Sequence, residues 1–94
     1  MLFLVNKPRP STFDLIGLFA GEDDQKEVLL IGDGVFYGVD LMAGRFAEKG
    51  VKKLYVSKPC LASRSVRLSD RCIPLEYEEM VPLIMEEHEK IVSI

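Results

Sequence analysis

Ninety-four residues, 48% of them hydrophobic, suffice for one small domain with its own packed core and without help from a metal or a disulfide. A charged fraction of 29% and a formal net charge of -3 exclude a disordered tail and a basic nucleic-acid module, so direct nucleic-acid binding is not expected. The uninterrupted apolar runs fall far short of the ~20 residues that cross a bilayer, which excludes a membrane-spanning helix.

The chain opens on "MLFLV", an apolar run too short for a helix and closed by the prolines of "NKPRP", so Leu2 to Val5 is expected to be a buried strand. Ser11 can then cap a helix, with Asp14 in its first turn and Phe13, Ile16, Leu18 and Phe19 on one face. That helix is expected to end at Gly21 in the acidic turn "GEDDQKE". "VLLI", Val28 to Ile31, repeats the strand pattern. Asp33 and Gly34 open a second helix, "VFYGVDLMAGRFAEKG", that stops at Gly50. "KLYVS" reads as a third strand, Leu61 to Val66 as a short helix, and "RCIPL" as a fourth strand. "EYEEMVPLIMEEHEK" reads as a last helix bent or restarted at Pro82, and "IVSI" as a short fifth strand. Strands alternating with helices predict an α/β domain over residues 1–94, with a mainly parallel sheet of four or five strands covered on both faces.

In open sheets of this class, function gathers at the carboxyl ends of the strands, here Asn6 to Pro10, Gly32 to Gly34 and Ser57 to Ser63. Gly32, Gly34 and Gly38 have a G-x-G-x-x-x-G spacing that misses the dinucleotide fingerprint, and "LYVSKP" lacks the acidic residue such a site wants. The plain alternative is that Asp33 caps the second helix and Gly34 permits a tight turn, leaving Phe36 and Tyr37 to face the core or a partner subunit. A basic cluster of Lys52, Lys53, Lys58, Arg64, Arg67 and Arg71 is set apart from the acidic stretch Glu76 to Lys90, as a solvated surface or a steering field.

Cys60 and Cys72 lie twelve positions apart, with no C-x-x-C and no zinc spacing, and no charged segment leads into an apolar signal. A reducing, cytoplasmic setting with free thiols is therefore expected. Cys72, inside the fourth strand, reads as a small buried hydrophobe. In "SKPCLASRS", Cys60 follows Pro59 at a strand-to-helix turn, with Lys58 before it and Arg64 about one helical turn after. Cations and helix N–H groups favour a thiolate, so two readings stand: a reactive thiol stabilised by Lys58 and Arg64, or an inert loop cysteine. His88, the one histidine, sits in an acidic helix and reads as solvent-facing, and Glu76, Glu78, Glu79, Glu86, Glu87 and Glu89 read as a solvated face.

The order of "MLFLV", "VLLIGDGVF", "LYVSKPCLASRS" and "IPLEYEEMVPLI" resembles the DsrH/TusB family, the small subunits of DsrE/DsrF/DsrH-type sulfur-relay proteins. The resemblance runs along most of the chain and is carried by Asp33, Gly34, Val35, Leu54, Tyr55 and Tyr77. It implies a three-layer α/β/α subunit in the cytoplasm. Its partners would be copies of itself or DsrE/DsrF (TusD/TusC)-like subunits, an upstream persulfide donor and a downstream sulfur acceptor, with no metal or organic cofactor. The relay of these families leads to 2-thiolation of the tRNA wobble uridine or serves dissimilatory sulfur oxidation. The sulfur-accepting cysteine of DsrE/TusD relatives follows their third main strand, a place that resembles the position of Cys60, whereas TusB-like chains commonly carry an acidic residue in that loop. Three functions stay open: a sulfur carrier on Cys60, a non-catalytic subunit completing an oligomer, and a small nucleotide-binding module at Gly32 to Gly38.

Overall fold

The computed structural model describes residues 1–20, 25–86 and 90–94. The expected helix end at Gly21, the acidic turn that follows it, and Glu87, His88 and Glu89 lie outside the described residues, apart from the turn's last residues at Gln25 to Glu27. Five strands form the sheet: β1 (Leu2–Val5), β2 (Glu27–Leu30), β3 (Lys53–Ser57), β4 (Cys72–Leu75) and β5 (Ile91–Ser93). Every pairing is parallel, in the order β4-β3-β2-β1-β5. Four α-helices connect them: α1 (Thr12–Ala20), α2 (Asp40–Glu48), α3 (Lys58–Ala62) and α4 (Tyr77–Met85).

That order explains the layers. The first three crossovers all step in one direction, and the fourth jumps back across the sheet to the far edge beside β1. Right-handed crossovers then place α1, α2 and α3 on one face and α4 on the other. The core divides accordingly. Phe3, Val5, Val28, Leu30, Leu54, Val56 and Cys72 meet Phe13 and Ile16 of α1 and Ala43 and Phe46 of α2. The alternate strand residues Leu2, Leu29, Tyr55 and Leu75 meet Met80 and Leu83 of α4. Strands buried on both faces read as continuous apolar runs, which is why β1 and β3 stand out in the sequence. Pro74 sits in β4, an edge strand, where a missing N–H removes no ladder bond to a second neighbour.

Several expectations are corrected. The second strand lies one residue earlier than Val28 to Ile31, because Ile31 is already the residue before the next helical turn. The long helix expected from Asp33 to Gly50 is two pieces. Gly32–Gly38 is a 3₁₀ helix, Val39 is extended, and α2 restarts at Asp40. The 3₁₀ segment lies close against the end of β1: a Cβ on Gly34 would overlap the carbonyl oxygen of Val5, so only glycine fits at this approach. The third helix begins at Lys58 and not at Leu61, because Ser57 accepts the Cys60 N–H on its Oγ and Pro59 presets the first turn. In α1, Phe13 and Ile16 are buried while Leu18 and Phe19 face outward, so the expected apolar face is only half used. The last helix continues through Pro82, started by a capping box between Glu76 and Glu79.

Candidate functional site

The carboxyl ends of β2 and β3 lie side by side, and their loops meet at Cys60. After β2 the chain turns at Gly32, whose φ of +52° is a left-handed conformation that suits glycine. The turn aims the Gly32 N–H at Cys60 Sγ, 3.2 Å away. After β3, the Ser57 cap brings Cys60 into the first turn of α3, where it is half-buried and packs its sulfur side against the α1–α2 core. α3 is barely more than one turn long, so aligned helix dipoles contribute little. The donor that reaches the sulfur comes from the neighbouring loop.

The three charged groups assigned to this region are placed as follows. Arg64 lies just beyond α3 and donates from Nε and Nη2 to Asp33 Oδ1, at 3.1 and 2.9 Å. Its Nη1 donates to the carbonyl oxygen of Cys60 at 2.9 Å. The expectation that Asp33 caps the helix after β2 is corrected: Ile31 is the cap residue, and the Asp33 carboxylate is held by Arg64. Lys58 turns to Glu76 at the end of β4, Nζ to Oε1 3.1 Å. Neither cation stands as a free charge dedicated to the sulfur; each shares its field with a carboxylate.

Gly34 and Tyr37 work inward. Gly34 is buried against Val5, and Tyr37 stacks near Phe13 and Phe46 with ring centroids 5.5 and 6.2 Å apart. Phe36 points outward and is 44% exposed. The glycines of "GDGVFYG" are thus packing residues. The Gly32 N–H goes to Cys60 and the Gly34 N–H to the Ile31 carbonyl, which leaves those two donors committed within the protein. Among the described residues, no three His, Cys, Asp or Glu side chains gather as metal ligands.

Cys72 is a different thiol. It is buried in β4, donates to the Gly38 carbonyl at 3.4 Å, and is pushed up to about 11, by burial first and by the Asp40 charge second, against an opposing backbone hydrogen bond at Ser69. It stays protonated and enclosed, as expected for a core cysteine.

Sequence reasoning places Gly32 and Ser57 at strand ends where function gathers and Glu76 on a solvated face, but does not give the contacts they make. The Ser57 cap had a signal, a serine two positions before a proline at a strand end. The partners of Gly32 and Glu76 had none, since they lie 28 and 18 positions away in the chain. The chain matches no protein-family model and no curated protein.

Proposed function

We propose that the protein is a sulfur carrier that takes up persulfide sulfur on Cys60, as a subunit of a cytoplasmic relay leading toward 2-thiolation of the tRNA wobble uridine. The observation that carries this reading is the Gly32 N–H directed at Cys60 Sγ at 3.2 Å, because it fixes the sulfur where the β2 and β3 loops meet and offers a donor to a sulfur that carries charge during thiol exchange. Half-burial supports the same reading, since it leaves the sulfur in reach of another protein while shielding it from water. The identity of the relay and of its end product comes from the DsrH/TusB resemblance.

The chemistry is thiol exchange. The Cys60 thiolate attacks the outer sulfur of a donor persulfide, a new S–S bond forms on Cys60, the donor's S–S bond breaks, and the donor leaves as a thiolate. An acceptor thiolate then attacks the outer sulfur on Cys60, becomes a persulfide itself, and returns Cys60 as thiolate. The two steps together change no oxidation state and need no metal or organic cofactor.

The direct test is intact mass after incubation with a persulfide donor. Wild type gains one sulfur atom and Cys60→Ser does not. A gain that survives in Cys60→Ser, or none in wild type, removes the carrier reading.

A second reading, a non-catalytic subunit of a DsrE/DsrF/DsrH-type oligomer in dissimilatory sulfur metabolism, is favoured by the apolar side chains left in water. Phe36 is 44%, Tyr77 68% and Met85 74% exposed, large side chains that a partner subunit could cover. Mass spectrometry of digested tRNA separates the two. A carrier loses 2-thiouridine both in the deletion and in Cys60→Ser, whereas a scaffold toward thiolation loses it only in the deletion, and a dissimilatory subunit in neither.

A further inference from the structure

The loops after β2 and β3 are joined by a closed ring of contacts. The Gly32 N–H donates to Cys60 Sγ at 3.2 Å, and the next residue, Asp33, receives Nε and Nη2 of Arg64 at 3.1 and 2.9 Å. The ring closes through Arg64 Nη1, which donates to the main-chain carbonyl of the same Cys60 at 2.9 Å. The β2 side of the ring is fixed, because the backbone at Gly34 has no space to move toward Val5. The β3 side is a five-residue helix followed by an irregular segment, so it is the side able to shift.

We propose that Arg64 is a positioning residue, and that the Asp33–Arg64 ion pair is a clamp that holds Cys60 Sγ on the Gly32 N–H and thereby governs the reactivity of the thiol. The clamp rests on the reading of Cys60 as the reacting sulfur. It differs from a direct electrostatic role, in which the guanidinium itself stabilises the sulfur anion, and the two make opposite demands on Asp33. For direct action Asp33 is an obstacle, since its carboxylate offsets the charge of Arg64. For the clamp it is essential. The charged groups on the elements around the sulfur are Lys7 and Arg9 on the β1–α1 loop, Asp33 after β2, Lys58 and Arg64 on its own segment, and Glu76 at the end of β4. Of these, Asp33 and Arg64 alone tie the Gly32 turn to the Cys60 backbone. Asp33 is 59% exposed, so salt reaches the pair and can open it.

The experiment follows the rate of Cys60 alkylation by iodoacetamide against pH, in the full chain, by peptide mapping. Asp33→Asn is expected to slow the reaction at pH 7 by about threefold to tenfold, the factor that a typical net hydrogen bond is worth. Asp33→Glu keeps the carboxylate and stays near wild type. Raising the salt moves the wild type in the same direction as Asp33→Asn, which tests the pair without any substitution. A faster reaction in Asp33→Asn assigns Arg64 a direct role and overturns the clamp; an unchanged profile overturns it as well. Alkylation does not depend on sulfur transfer. If wild type takes up no persulfide sulfur yet follows the clamp pattern, the carrier reading falls and the clamp stands.

Discussion

Gly34 lies so close to Val5 that a single added methyl group would overlap the Val5 carbonyl oxygen and come within 2.8 Å of its carbonyl carbon. The obstacle is backbone at the end of a central strand, which cannot rotate away as a side chain would. Gly34→Ala is therefore expected to destabilise the fold by about 3 kcal/mol or more. Gly17 in α1 and Gly44 in α2 have nothing within 4 Å of the same position, so alanine there is expected to stabilise by about 0.5–1 kcal/mol through helix propensity. Urea unfolding of the three variants checks the contrast, and equal effects at all three positions contradict it.

The two thiols are expected to react in a fixed order. Cys60 is half-buried in the first turn of α3, while Cys72 is 7% exposed within the sheet and its ionisation is suppressed. Limited alkylation of the folded protein should label Cys60 faster than Cys72 by at least about tenfold, with the difference lost in denaturant. Peptide mapping reads it, and equal labelling of the folded protein contradicts the assignment.

Cys72 also gives the fold an alkaline limit. Its thiol ionises at about 11 in the folded protein against 9.0 for an unperturbed thiol, so in that interval the unfolded chain has released a proton that the folded chain still holds. The contribution is complete below pH 9, is lost as pH rises toward 11, and amounts to at most about 2–3 kcal/mol. Other groups titrate in the same range. The informative quantity is thus the difference in unfolding free energy between wild type and Cys72→Ala, which should narrow as pH goes from 8 to 11. A constant difference would show that Cys72 ionises as freely in the fold as outside it.

At the start of α4, the Glu79 carboxylate accepts the Glu76 N–H at 3.1 Å while the Glu76 side chain accepts from the Glu79 backbone. Glu79→Ala removes half of this box and is expected to cost about 1 kcal/mol, with Glu79→Gln retaining most of it. Thermal unfolding measures both. Among the described residues α4 is the helix that covers that face of the sheet, so fraying of its first turn should also raise amide exchange at Met80 and Val81.

The strands and the identity of the core were legible in the sequence because a parallel strand buried on both faces must be apolar at every position. "LFLV", and "LYV" within Lys53–Ser57, therefore declare themselves without any knowledge of their neighbours. The start of α3 at Lys58 was less legible: Ser57 and Pro59 supply the cap and the preset φ, but the apolar pattern points to a helix from Leu61. The tertiary structure alone decided what depends on distant chain. The need for glycine at position 34 comes from Val5, 29 positions earlier, and the placement of α4 on the face opposite α1 and α2 comes from the order of the strands. Arg64 has its carboxylate on Asp33, 31 positions away, and Cys60 its donor on Gly32, 28 away. Hydrogen bonds and ion pairs act over about 3 Å in space, and periodicity along a chain carries no information about which loops a folded sheet will bring to that distance.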